Sequence, residues 1–263
     1  MEHKTIETPR GQVSYWVDGN RIRPRLLLLH GTMMDHRMFF NQSTYFRDNF
    51  LLIMPDLPAH GQSRPYQDFS FSNTVEDLLT IFDEEHVRHT HVLGHSMGGY
   101  IAQELYRWAP DMVKSLVCAS SAPLNNATHS KKENPSLGRS SAFMKLSKKE
   151  KLIDDIVRRN TLTPASAQYT RDTLDQYERM EMFNILGVIN RDSRSSEEIS
   201  IDCPFLIMVG NSDKTGNVKE NAQLWAKNTH ADYREIPLAA HMLNVDNPGS
   251  FNLILQNWLK SIN

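Results

Sequence analysis

Apolar residues gather along the chain in short unbroken runs. Arg25 to Gly31 (RLLLLHG), Phe50 to Asp56 (FLLIMPD), Thr90 to Ser96 (THVLGHS), Val113 to Ser120 (VKSLVCAS) and Pro204 to Gly210 (PFLIMVG) are continuous rather than alternating. A strand covered on both faces needs apolar side chains at successive positions, so these runs predict buried strands of a mostly parallel sheet. Between them the spacing changes. Val75, Leu78, Leu79 and Phe82 fall at i, i+3, i+4 and i+7, one buried helix face within Thr74 to Phe82. Met97 to Trp108 and Phe251 to Ile262 read as helices too, bordered by Pro110 and Pro248. Strands alternating with helices need right-handed crossovers, which place helices on both faces of a doubly wound sheet. The runs near Thr5 and Val13 fit an antiparallel edge, and Tyr233 to Ile236 a short late strand.

The alternation stops between Ala122 and Ser200. The stretch NNATHSKKENPS is polar and turn-rich, and two helical patterns follow it, Lys148 to Arg159 and Ala165 to Ile189, with no strand between them. This divides an α/β core, residues 1–122 and 201–263, from a helical insertion, residues 123–200. The insertion reads as a small helical layer with its own core, or as a cap closing over the carboxyl end of the sheet.

Composition narrows the class. With 263 residues, 40% of them hydrophobic and 23% charged, the chain can bury a sizeable core in one α/β domain carrying an insertion. A net charge of −2 gives no basic field to attract nucleic acid or an anionic membrane surface. No uncharged apolar stretch approaches the ~20 residues that span a bilayer. The opening residues, MEHKTIETPRGQVSYW, contain no apolar run of the secretory kind. Cys118 and Cys203 lie in or beside predicted strands without CxxC spacing, so they are expected to be reduced, which fits a cytoplasmic protein. No cluster of His, Cys and Asp has zinc-ligand spacing, and neither a metal nor a cofactor is expected.

In an open parallel sheet, ligands bind beyond the carboxyl ends of the strands. His30-Gly31, Asp56, Ser96, Ser120-Ser121 and Asp213 all fall there. The stretch Gly94-His95-Ser96-Met97-Gly98 carries glycines two residues before and after a serine, between a predicted strand and a predicted helix. A turn that tight forces the serine into strained φ/ψ and leaves no room for bulky neighbours. A serine hydroxyl is a poor nucleophile unless a base takes its proton and a third group orients that base. Asp213 follows the strand Pro204 to Gly210, and His241 follows the short strand Tyr233 to Ile236. Two other acids compete with Asp213. Asp202 precedes its strand and points to the wrong end, while Asp246 lies past the histidine, where it fits a helix cap or a support for the site.

The order Ser, Asp, His is that of the α/β hydrolases, and at these residues the chain resembles a small, cofactor-free, serine esterase-like member of that superfamily with a helical cap. HGTMMDHRMF resembles the family's His-Gly oxyanion segment, with Phe39 as the aromatic anchor of the next helix. DLPAHGQS resembles the Asp-x-x-Gly-His-Gly-x-Ser loop, with Ala59 in place of the first glycine. The resemblance implies the α/β-hydrolase fold, and an oxyanion hole made by the backbone N–H groups of Thr32 and Met97.

The function expected is cleavage of a carboxylic ester of a small to medium-sized molecule through an acyl-enzyme. Ser96 attacks, His241 carries the proton and Asp213 orients the ring. Serine at position 96 separates the chain from the similar dehalogenases and epoxide hydrolases, which use a carboxylate. Tyr100 stands where menaquinone-pathway lyases place an arginine, and Met242 where hydroxynitrile lyases place a lysine. Carbon–carbon bond hydrolases, lactonases, thioesterases and perhydrolases use the same triad, and a ligand receptor with a slow triad is the alternative from another class. No feature of the sequence bears on oligomeric state. Of the other histidines, His30, His60 and His95 are expected to make structural hydrogen bonds, and His36 to face solvent or the pocket. Met33, Met34, Met38, Met97, Met144, Met180 and Met182 are expected near the pocket or cap, mostly as core.

Overall fold

A computed structural model describes residues 1–124, 148–194 and 199–262. Eight strands form one sheet in the order β1-β2-β4-β3-β5-β6-β7-β8. They are β1 (Glu2–Thr8), β2 (Gly11–Gly19), β3 (Arg25–Leu29), β4 (Leu51–Pro55), β5 (Thr90–His95), β6 (Val113–Ala119), β7 (Phe205–Gly210) and β8 (Asp232–Ile236). β1 and β2 pair antiparallel, with Ile6 opposite Val13, and β2 joins β4 antiparallel; every other pairing is parallel. Every residue of β4, β5 and β7 is buried, which requires cover on both faces. β1 buries only Ile6 and β8 only Ile236, and these are the two edge strands.

The connecting helices are α1 (Phe40–Phe46), α2 (Phe71–Glu84), α3 (Met97–Trp108), α7 (Val218–Asn228), the single turn α8 (Leu243–Asp246) and α9 (Pro248–Ser261). α2 packs on α3, and α1 on α9. α2 starts earlier than the apolar periodicity indicates because the Ser70 side chain accepts the N–H of Asn73 and caps it. α9 likewise starts at Pro248, where the Asn247 side chain accepts from Ser250.

Between β6 and β7 lie α4 (Lys149–Asn160), α5 (Pro164–Leu174) and α6 (Arg179–Asp192). The pattern from Ala165 to Ile189 is therefore two helices rather than one. The break falls at Tyr177, which is 1% exposed. Its hydroxyl accepts the N–H of Gly61 at 3.3 Å, and the Arg64 guanidinium stands 4.1 Å above its ring. A continuous helix does not give Tyr177 this position, and Glu178 and Glu181 restart the helix with a reciprocal capping box. The boundaries expected at 122/123 and 200/201 adjoin residues 125–147 and 195–198, which lie outside the described residues.

These three helices sit on the loops beyond the carboxyl ends of the sheet. The Tyr169 hydroxyl exchanges hydrogen bonds with the backbone of Asp35, after β3, at 3.2 Å each way. Thr173 touches Met34 Sδ, and Asn160 reaches Thr215 after β7 and Met242 after β8.

Candidate active site

Ser96 lies between the end of β5 and the start of α3, with φ 51° and ψ −113°. Few residues other than glycine hold that conformation, and the surrounding turn is correspondingly tight. A Cβ added at Gly94 would lie 2.1 Å from the Gly98 carbonyl oxygen, and one at Gly98 2.2 Å from that of Leu29. Glycine at these two positions thus lets β3, β5 and α3 meet. The Ser96 N–H donates to the Ala119 carbonyl at 2.8 Å. Its carbonyl accepts from the N–H of Gly99 and the hydroxyl of Ser121, both at 2.9 Å. The backbone of the elbow is pinned while the side chain projects from it.

The Ser96 Oγ lies 3.0 Å from His241 Nε2, and His241 Nδ1 lies 2.9 Å from Asp213 Oδ2. A carboxylate accepts only, so Nδ1 carries the proton, and Nε2 is left to accept the Ser96 hydroxyl hydrogen. Burial alone would raise the Asp213 carboxyl. The facing His241 ring and the Thr215 N–H, 2.9 Å from Oδ1, outweigh burial and hold it well below the usual carboxylate range. The loops that carry Asp213 and His241 are joined directly: Ser212 N–H donates to Ala239 O at 2.9 Å, and Asn211 N–H to Ile236 O at 2.9 Å. The structure therefore brings Ser96, His241 and Asp213 into one hydrogen-bonded chain.

Met97 is the first residue of α3, where an N–H has no carbonyl one turn earlier to bond. Thr32 lies in the turn closed by Met34 N–H on Gly31 O. Gly31 abuts the elbow: a Cβ there would stand 3.5 Å from the Ser96 Cβ and 2.6 Å from His95 Nδ1. Asp246 lies elsewhere than against the His241 ring. Its carboxylate accepts the backbone N–H groups of Ala240, Leu162 and Thr163 and the Ser166 hydroxyl.

Three histidines make the structural hydrogen bonds expected of them. His30 Nε2 accepts from Leu57 N–H at 2.9 Å, His60 Nδ1 donates to Pro58 O at 2.9 Å, and His95 Nε2 donates to the carbonyl of His241 itself at 2.8 Å. Burial keeps these rings neutral and pushes both His60 and His95 down to about 3; His91, bonded to Ser115, is pushed down to about 4. His36 is half-buried: its Nδ1 is 2.8 Å from Asp56 Oδ1 and its ring stacks on Trp16. The bond from His95 to the His241 carbonyl has no signature in the sequence beyond the place of His95 beside Ser96. Met33, Met34, Met38, Met97 and Met182 are buried, whereas Met180 is 65% exposed on the outer side of α6; Met144 lies outside the described residues. Cys118 is buried and Cys203 half-buried, both as free thiols.

Residues 24–146 match the sequence profile of the alpha/beta hydrolase fold. The chain is 23% identical to an (E)-2-((N-methylformamido)methylene)succinate hydrolase of Acinetobacter baylyi, over 99% of each chain. It is 22% identical to 3-oxoadipate enol-lactonase 1 of the same bacterium, over 95% of this chain and 94% of that one. A solved structure of a hydrolase from Pseudomonas aeruginosa superposes with a TM-score of 0.83 at 21% identity, covering 98% of both chains. The chain therefore has the α/β-hydrolase fold, and it resembles proteins named as a hydrolase and an enol-lactonase along nearly its whole length. No helix among the described residues is long and apolar enough to cross a membrane.

Proposed function

We propose that this protein is a serine hydrolase that cleaves a carboxylic ester, open or cyclic, of a small to medium-sized substrate. The observation that carries the reading is the run of hydrogen bonds from Ser96 through His241 to Asp213, with the serine on a strained elbow at the mouth of the parallel sheet. Relatives named as a hydrolase and an enol-lactonase along nearly their whole length support it.

In this reading Ser96 Oγ attacks the ester carbonyl as its proton passes to His241 Nε2. The carbonyl oxygen becomes an oxyanion held by the N–H groups of Thr32 and Met97, each such donor contributing ~3 kcal/mol to the transition state. The intermediate collapses, the acyl–oxygen bond breaks, and His241 gives its proton to the departing alkoxide. Water, deprotonated by the same ring, then attacks the acyl-enzyme, and Ser96 recovers its hydrogen as the acid leaves. Asp213 keeps the ring in the tautomer that both halves need. The helices α4, α5 and α6 act as a cap that bounds the acyl or alcohol pocket, and the free thiols fit a cytoplasmic setting.

An activated phosphonate followed by mass spectrometry tests the assignment. The adduct is expected on Ser96 and lost in Ser96→Ala, whose ester turnover falls by several orders of magnitude, to a residue of about 10³–10⁴ over water. Across p-nitrophenyl esters, each methylene that fits adds at most ~0.8 kcal/mol, so the preference rises gently and then falls where the pocket ends. Labelling elsewhere, or Ser96→Ala retaining more than about a tenth of turnover, removes Ser96 from the role. The absence of both labelling and a burst leaves a receptor as the better reading.

A further inference from the structure

His241 sits in the loop that follows β8, outside any strand or long helix, three residues after a Leu238 held at φ 50°. A ring at the end of such a loop must be fixed by what its backbone touches. Both chain neighbours of His241 are tied to one segment of the helical layer, the joint between α4 and α5. Met242 N–H donates to the Asn160 carbonyl at 3.0 Å. Ala240 N–H donates to Asp246 Oδ2 at 2.9 Å. The other oxygen of Asp246 accepts from Leu162 N–H at 2.9 Å, from Thr163 N–H at 3.1 Å and from the Ser166 hydroxyl at the start of α5.

The joint reaches the acid as well. Asn160 Oδ1 accepts the Thr215 hydroxyl at 3.0 Å, and the Thr215 N–H holds Asp213 Oδ1 at 2.9 Å. Asp246 is only 8% exposed, and Ala240 and Met242 are 2% exposed each, so water does not substitute for these bonds. The chemistry also explains the residue type at position 246. Its partners are three N–H groups and the hydroxyls of Ser166 and Thr163, all donors, and only an ionised carboxylate offers acceptor sites on both oxygens. An amide of the same shape keeps one acceptor and turns its NH₂ towards the remaining donors.

We propose that Asp246, with Asn160 and Thr215, is a positioning device through which the helical layer sets the place of the His241 ring and the Asp213 carboxylate relative to Ser96. The proposal rests on the serine hydrolase reading for its kinetic consequences, and on the geometry alone for its spectroscopic one.

The experiment compares the wild type with Asp246→Asn, Thr215→Val, Thr215→Ser and Glu85→Gln. Glu85 is a buried carboxylate at the other edge of the sheet, bonded to Lys4, Tyr15 and Arg21, and serves as the control for simple destabilisation. Three quantities are read on folded protein: the rate of phosphonate labelling at Ser96, kcat and KM on a p-nitrophenyl ester, and the low-field NMR signal of the proton between His241 and Asp213. For Asp246→Asn, labelling and kcat are expected to fall together by about tenfold to a hundredfold, the scale of a slightly misplaced catalytic group, with KM nearly constant. The low-field signal shifts. Thr215→Val gives a smaller change in the same direction, and Thr215→Ser restores it, which keeps the test alive should Asp246→Asn fail to fold.

Glu85→Gln lowers the melting temperature and moves none of the three. An Asp246→Asn protein that melts earlier with unchanged labelling and an unchanged signal overturns the proposal, because the residue is then only structural. A raised KM at constant kcat and labelling also overturns it and places the joint in substrate binding instead. If the wild type neither labels nor turns over an ester, the hydrolase reading fails on its own, and the signal of the His241 proton still decides the positioning role.

Discussion

Replacing Gly94 by alanine probes how little room the elbow has. The added Cβ would stand 2.1 Å from the Gly98 carbonyl oxygen and 2.6 Å from the Gly99 nitrogen. Both are backbone atoms, so no side chain can swing aside. The first contact lies about 1.3 Å inside the 3.4 Å at which ordinary contact begins, so α3 must retreat from β5 by that order. Overpacking of this kind costs roughly 2–3 kcal/mol. Ser96 rides on the displaced turn, and its 3.0 Å bond to His241 cannot stretch by the same amount and survive. A loss of about 100-fold in turnover is expected. Gly187→Ala is the matched control: the same atom is added on the exposed side of α6, where nothing lies within 4 Å. It is expected to stabilise by ~0.5–1 kcal/mol through helix propensity alone. Urea unfolding with burst kinetics on an activated ester measures both quantities. A Gly94→Ala protein with wild-type midpoint and wild-type burst would show that the elbow has slack, and the steric reasoning would be wrong.

Asp213→Asn is expected to keep the fold and lose about 10⁴ in kcat, because the amide favours the wrong tautomer of His241; steady-state kinetics checks this, and a loss of less than tenfold would send the acid role elsewhere. Glu85→Gln should lower stability by ~1–3 kcal/mol in chemical denaturation, since its side chain is fully buried against Lys4, Tyr15 and Arg21, and should leave turnover untouched. Ala59→Gly should raise the melting temperature, by the equivalent of at most ~1 kcal/mol, because Ala59 occupies φ 64°.

That last position illustrates what could be read without coordinates. Ala59 stands where the similar loops carry glycine, and the structure shows the reason for glycine there: the residue adopts left-handed backbone. Strands were legible wherever both faces are covered, as at Leu26 to Leu29, all 0% exposed, because burial on two sides removes any need for polar alternation. The order of Ser96, Asp213 and His241 was legible because each follows its own strand. What escaped was tertiary. Nothing local says that Tyr177 must turn inward to meet Gly61, so the helical pattern ran through the break between α5 and α6. Nothing local distinguishes Asp246 as the acceptor for a segment some eighty residues earlier, or His95 as the donor to the carbonyl of His241, since hydrogen bonds between distant loops leave no periodicity.

The neutral histidines packed beneath the site carry a consequence for the whole molecule. In the unfolded chain an imidazole takes up a proton near pH ~6.5, whereas in the folded protein His60 and His95 resist to about 3 and His91 to about 4. Their contribution to stability is complete above pH ~6.5 and drains away below it, as the unfolded form gains protons the native form refuses. Each ring removes about 1.4 kcal/mol per pH unit across that window, so the three together remove about 4 kcal/mol per unit. Against a typical total of ~5–15 kcal/mol, two or three units of acidification suffice to tip the balance. The same closeness of packing that makes the elbow rigid therefore sets an acid boundary on where this protein can persist.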